Sequence, residues 1–132
     1  MPKQLLLCDD EVHILRAAEF KLKRAGYDVR VAFDGQEAFE AIQAQMPDML
    51  VSDFQMPRLD GLQLIAKLRQ QPETAHLPIV LLTAKGLELD HAELIARFQL
   101  SGIFSKPFSP RELQARVQQV IGPACELAAL EA

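Results

Sequence analysis

The sequence predicts an α/β fold: a doubly wound, five-stranded parallel sheet made of five strand–helix units, with strand order 2-1-3-4-5. Three observations carry that reading. Short apolar runs alternate with stretches whose apolar residues recur at helical spacing, the pattern of a βαβ series. The run Asp28–Ala32 alternates apolar and polar residues and belongs at a sheet edge, whereas the third and fourth runs are apolar on both faces and belong inside. The other runs end in polar residues: Asp9 and Asp10 after Leu5–Cys8, Asp53 after Met49–Ser52, Thr83 after Ile79–Leu82, and Lys106 after Ile103–Ser105.

The first strand runs from Gln4 to Cys8. Helix one follows from near Glu11, with Leu15, Ala18, Leu22 and Ala25 on one face and Gly26 as its C-terminal cap. Strand two is Asp28–Ala32. Helix two opens on the capping-box pattern Asp34-Gly35-Gln36-Glu37, turns Ala38, Phe39 and Ile42 inward, and stops at Pro47. Strand three is Asp48–Ser52. A loop from Asp53 to Leu59 carries Pro57, and Asp60 can N-cap a third helix that buries Leu64, Ile65 and Leu68.

Gln71-Pro72 begins the loop to strand four, Pro78–Leu82. Helix four is expected from Leu87 to Leu100, with Leu87, His91, Leu94, Ile95 and Phe98 on one side, and strand five from Gly102 to Ser105. Helix five starts with a second box pattern, Ser109-Pro110-Arg111-Glu112, with proline at the first helical position. Its buried stripe is Leu113, Val117, Val120 and Ile121. One domain is therefore expected over residues 1–121, and a short tail over 122–132.

Composition narrows the function classes. The 132 residues are 49% hydrophobic and 24% charged with a formal charge of −4, which is ordinary for a globular domain. Lys21, Lys23 and Arg24 read as a solvated helix face, so direct contact with nucleic acid is not expected. No apolar run approaches the roughly 18 residues that cross a bilayer, and the first residues lack a secretory pattern, so a cytoplasmic protein without membrane insertion is expected. Cys8 and Cys125 form no CxxC pair, and Cys8 reads as a buried thiol in a strand. His13, His76 and His91 lack metal-ligand spacing.

In this strand order the winding reverses between strands one and three, and ligands bind in the crevice at their carboxyl ends. Asp9, Asp10 and Asp53 would meet there. Carboxylates so close cannot all stay ionised in a dry pocket without a compensating charge. Their hard oxygens suit Mg2+, which is held by one or two carboxylates together with a phosphate. Lys106 adds a positive charge, and Thr83 offers a hydroxyl to a phosphoryl oxygen. A carboxylate is a competent nucleophile toward phosphorus, and Asp53, at the end of a central strand, is the residue expected to take the group.

Four segments then point to a family. Cys8-Asp9-Asp10-Glu11, Asp53-Phe54-Gln55-Met56-Pro57-Arg58-Leu59-Asp60-Gly61, Leu82-Thr83-Ala84-Lys85 and Lys106-Pro107-Phe108 resemble the receiver domain of bacterial two-component response regulators, in its stand-alone, chemotaxis-receiver-like form. The resemblance spans about Lys3 to Ile121. It implies a flavodoxin-like fold and an Asp53 that accepts phosphate from a sensor histidine kinase or a histidine phosphotransfer protein. It also implies that Asp10 ligates Mg2+ directly, Asp9 directly or through water, Asp53 as a further ligand, and Gln55 through its backbone carbonyl. Thr83 would be the switch hydroxyl, Lys106 the phosphoryl partner, and Lys106-Pro107 a cis bond.

By the same resemblance the signal leaves through a downstream effector protein docking on helix four, strand five and helix five, and a phosphorylation-dependent dimer stays open. Such a protein catalyses its own phosphorylation and dephosphorylation and turns over no external metabolite.

One position departs from the family pattern. Ile103 stands where an aromatic ring usually swings inward as the threonine moves, and the adjacent Phe104 reads as a core-facing or edge-covering ring. Lys85 is expected to lean over the phosphoryl group and slow its hydrolysis. Two other readings fit the residues less well. A phosphatase with an aspartyl nucleophile needs a second acid two residues beyond Asp53, where Gln55 stands, and a flavin mononucleotide site would be repelled by Asp9-Asp10-Glu11.

Overall fold

Five short segments, the first, third and fourth of them almost continuously buried, build a single parallel sheet. In the computed structural model, which describes residues 2–84 and 89–124, these are β1 (Gln4–Cys8), β2 (Asp28–Ala32), β3 (Met49–Asp53), β4 (Ile79–Thr83) and β5 (Gly102–Ser105). They pair in the order β2-β1-β3-β4-β5. Between and after them run α1 (Val12–Arg24), α2 (Gly35–Ala44), α3 (Gly61–Arg69), α4 (His91–Phe98) and α5 (Pro110–Ile121). The fold is the flavodoxin-like one expected.

Strand alternation sorts the core into two layers. Leu5 and Leu7 of β1, Met49 and Val51 of β3, and Val80 and Leu82 of β4 pack with Leu15, Ala18 and Leu22 of α1 and Leu113 and Val117 of α5. Leu6, Leu50, Ile79 and Leu81 point the other way, onto Ala38 and Ile42 of α2, Leu64, Ile65 and Leu68 of α3, and Leu94 of α4.

Several boundaries differ from the sequence pattern. β3 and β4 each start and end one residue later, so Asp53 and Thr83 are the last residues of their strands. α1 ends at Arg24, with Ala25 as its cap and Gly26 at φ 101°. α4 begins at His91, capped by Asp90, whose side chain accepts from the Glu93 N–H, and ends where Gln99 turns left-handed at φ 55°. The expected start of that helix at Leu87 lies outside the described residues. Ile95 is 36% exposed instead of inward, leaving Leu94 as the buried residue of α4. Phe39 is half-buried, its ring covered by the Lys67 ammonium 4.1 Å from the centroid.

The helix caps also redistribute. Ser109 accepts from the Arg111 N–H, one position short of the box geometry. Asp34 accepts from the Glu37 N–H at 2.8 Å, without a described return bond from the Glu37 side chain. The reciprocal box forms at α3, where Asp60 accepts from Gln63 N–H at 2.8 Å and the Gln63 side chain accepts from Asp60 N–H at 3.0 Å.

After α5 the chain folds back. The Tyr27 hydroxyl donates to the Gly122 carbonyl at 2.7 Å, the Lys3 N–H donates to the Ala124 carbonyl at 2.8 Å, and the Lys3 ammonium donates to the Ile121 carbonyl. Ala124 is buried in the α1–α5 layer. The expected tail from 122 to 132 is described only to Ala124, and Cys125 lies outside the described residues.

Candidate functional site

Backbone pairing carries the functional side chains to one edge of the sheet. Past the end of β1 the Asp9 N–H still donates to the Ala32 carbonyl of β2, at 3.2 Å. Past β3 the Phe54 N–H donates to Leu82 of β4 at 2.7 Å, and past β5 the Lys106 N–H donates to Thr83 at 2.7 Å. These bonds extend the ladder by one residue, so acids, hydroxyl and ammonium emerge side by side. The Lys106-Pro107 peptide is cis.

Two glycines let the loop between β3 and α3 lie close against its neighbours. A Cβ on Gly61 would stand 2.2 Å from the Asp53 carbonyl oxygen, and one on Gly35 would stand 1.9 Å from that of Leu59. Neither contact leaves room for a side chain.

Oxygens of Asp9, Asp10 and Asp53 lie within 4.8 Å of one another. Asp9 and Asp53 are buried, at 1% and 5% exposure, while Asp10 is exposed. Lys106 reaches in from the other side. Its ammonium stands 2.9 Å from Asp9 Oδ2 and 3.2 Å from Asp53 Oδ1, and 2.7 Å from Glu11 Oε1. Thr83 is buried, with its Oγ1 3.5 Å from the Ser105 hydroxyl.

Burial, reinforced by the Asp9 charge, pushes the Asp53 carboxyl up to about 6, against the opposing pull of Lys106. For Lys106, burial alone would favour the neutral amine. The hydrogen bond to Glu11 and the nearby Asp9 and Asp53 carboxylates outweigh it and hold the ammonium above its usual range.

The donor set fits a hard divalent cation. Asp9 Oδ2 is fully buried and makes no hydrogen bond of regular geometry; the Lys106 ammonium is its charged neighbour. An oxygen so placed is costly to leave in a protein interior, and a cation is the partner that carboxylate clusters take. Asp9, Asp10 and Asp53 could hold such an ion.

The other expected residues are distributed less tightly. Gln55 follows the cluster by two residues and its side chain is exposed. Lys85 lies outside the described residues. Ile103 packs on the α3–α4 side of the sheet, whereas Phe104 packs on the α1–α5 side, 6.4 Å from the Phe108 ring and beneath the Arg116 guanidinium. The Cys8 thiol, buried against Met56 Sδ at 3.0 Å, is pushed up by burial and by the nearby Asp34 and Asp9 charges, so it stays protonated. Glu11 enters the site as a partner of Lys106, a role the sequence pattern had left to the helix start. The signal available was its place directly after the acid pair.

The sequence and the fold have counterparts among known proteins. The model of the response regulator receiver domain matches residues 5–118. The chain is 40% identical over 121 residues to the alkaline phosphatase synthesis transcriptional regulatory protein PhoP of Bacillus subtilis, covering 92% of this chain and 49% of that protein. The chain spans about half the length of the curated relatives it matches. A response regulator structure from Chloroflexus aurantiacus is 38% identical, with a TM-score of 0.81 over 92% of this chain and 98% of that one. Vibrio cholerae chemotaxis protein CheY4 is 28% identical, with a TM-score of 0.82 over 91% of this chain and 99% of that one.

Proposed function

Because the chain belongs to the response regulator receiver domain family of two-component signalling, we propose that Asp53 is its phosphoryl acceptor. The observation that carries the reading is the convergence on one buried carboxylate of two further acids and an ammonium, with Thr83 closing the neighbouring strand. The donor is a phosphohistidine on a sensor kinase or a phosphotransfer protein. The P–N bond to the imidazole breaks as an Asp53 oxygen bonds to phosphorus, and the imidazole nitrogen takes a proton.

Asp53 carries the nucleophilic oxygen and is held in place by the β3 ladder and the close Gly61 contact. Lys106 pairs with one oxygen of the arriving group, and Thr83 donates its hydroxyl to another. Asp9, Asp10, Asp53 and the Gln55 carbonyl would hold Mg2+, which supplies charge neutralisation when bound. The chain catalyses its own phosphorylation and dephosphorylation, and a partner protein reads the result at the face of α4, β5 and α5. Among the described residues no helix is long and apolar enough to cross a membrane.

Incubation with acetyl phosphate and Mg2+, followed by intact mass measurement, tests the acceptor. A single phosphoryl adduct that disappears in Asp53→Asn is the expected result. An adduct that persists in that variant would move the site elsewhere.

A further inference from the structure

We propose that Glu11 is a positioning residue that retains the Lys106 ammonium until a phosphoryl group arrives on Asp53. The inference rests on Asp53 being the acceptor. Lys106 is almost buried, with 9% of its side chain exposed, and its ammonium is shared among three carboxylates. The shortest contact is to Glu11 at 2.7 Å, ahead of Asp9 at 2.9 Å and Asp53 at 3.2 Å.

Glu11 differs from the other acids at helix starts. Asp34, Asp60 and Asp90 each spend their carboxylate on the N–H three residues ahead. Glu11 sits at the N-cap of α1 without a side-chain cap bond, while its own N–H is held by Asp9 Oδ1 at 2.9 Å. Its backbone is fixed and its carboxylate is left to reach Lys106.

Of the three partners, Glu11 is the one that can let go. Its side chain is 57% exposed, against 1% for Asp9 and 7% for Asp53. A carboxylate at the surface regains its hydration when the pair opens, whereas a buried one is left charged and dry. When a phosphoryl oxygen claims the ammonium, Glu11 therefore gives it up. Glu11 competes with the phosphoryl group for one cation and biases the site toward its unphosphorylated arrangement.

The full chain is titrated with beryllofluoride, a mimic of an acyl phosphate's phosphoryl group, at saturating Mg2+, and binding is followed by fluorine NMR. Removing an exposed ion-pair partner of this kind should tighten binding roughly two- to fivefold in Glu11→Gln. Glu11→Asp keeps the charge but is one methylene too short for the 2.7 Å contact, so it should shift in the same direction. In metal-free protein the Lys106 ammonium nitrogen resonance should move in both variants.

Unchanged or weaker binding in Glu11→Gln overturns the inference. So does a Glu11→Asp protein that behaves as wild type, which would reduce the effect to general charge, or an unmoved lysine resonance. If the wild-type protein binds no beryllofluoride, the acceptor reading falls and this inference with it.

Discussion

Asp53 sits where a strand delivers a charged group into a half-dry crevice, and the fold bears a cost for keeping it ionised. Its carboxyl, ordinarily near 3.8, is raised to about 6 by burial and by Asp9. The native state therefore binds this proton more tightly than the unfolded chain does. The stabilisation from protonation is complete below about pH 4 and is lost as pH rises through about 6. In metal-free buffer, Asp53→Asn should be more stable than wild type at pH 8 by about 1–2 kcal/mol after allowance for solvent screening. The two should converge near pH 4, as read by urea midpoints. A constant difference across that range would disprove the assignment of the titration to Asp53. That Asp9, Asp10, Asp53, Thr83 and Lys106 would come to one sheet edge was legible in the sequence, because each closes an apolar run and strand ends in a parallel sheet share an edge. The part of Glu11 was not legible, since its partner lies 95 residues away and the pattern around it is only that of a helix start.

Among the elements, α4 is the least supported by its own packing, and α3 compensates. The Arg69 guanidinium donates to four carbonyls: Phe98 at 2.9 Å, Thr74 at 2.9 Å, and Leu77 and Gln99 at 2.8 and 3.3 Å. It ties the end of α4 to the loop that leads into β4. Replacing it by alanine leaves these acceptors without a charged donor and should cost about 2–4 kcal/mol in urea unfolding. Arg69→Lys should recover little, because an ammonium cannot span the fork; full recovery would show that charge alone matters. The sequence pattern marked α4 too long because Ile95 and Leu100 continue an apolar periodicity that the left-handed turn at Gln99 interrupts. Periodicity cannot register that turn. It also could not tell which N-cap would close a reciprocal box, since that depends on the Gln63 rotamer at α3.

For the molecule as a whole, strand order was readable because the alternation of Asp28–Ala32 marks an edge and the two-sided apolarity of the third and fourth runs marks the centre. The closure between the chain's early and late segments was not, because nothing in the Gly122–Ala124 pattern announces a partner. Lys3 and Tyr27 hold that segment, so a chain ending at Ile121 should be less stable than one ending at Ala124 by about 1–3 kcal/mol. Tyr27→Phe should cost about 1 kcal/mol in the longer chain and almost nothing in the shorter one. Equal costs in both would show that the hydroxyl acts elsewhere. At the opposite rim of the sheet, Ile103 and Phe104 face opposite layers. Moving an aromatic ring by one position along a strand therefore does not displace it slightly; it transfers the ring through the plane of the sheet. What β5 presents on the α4 side, opposite Leu81 of β4, is a β-branched side chain that is stiff about χ1 and sweeps little volume. The outline that β5 offers there is therefore set by a side chain with little room to rearrange.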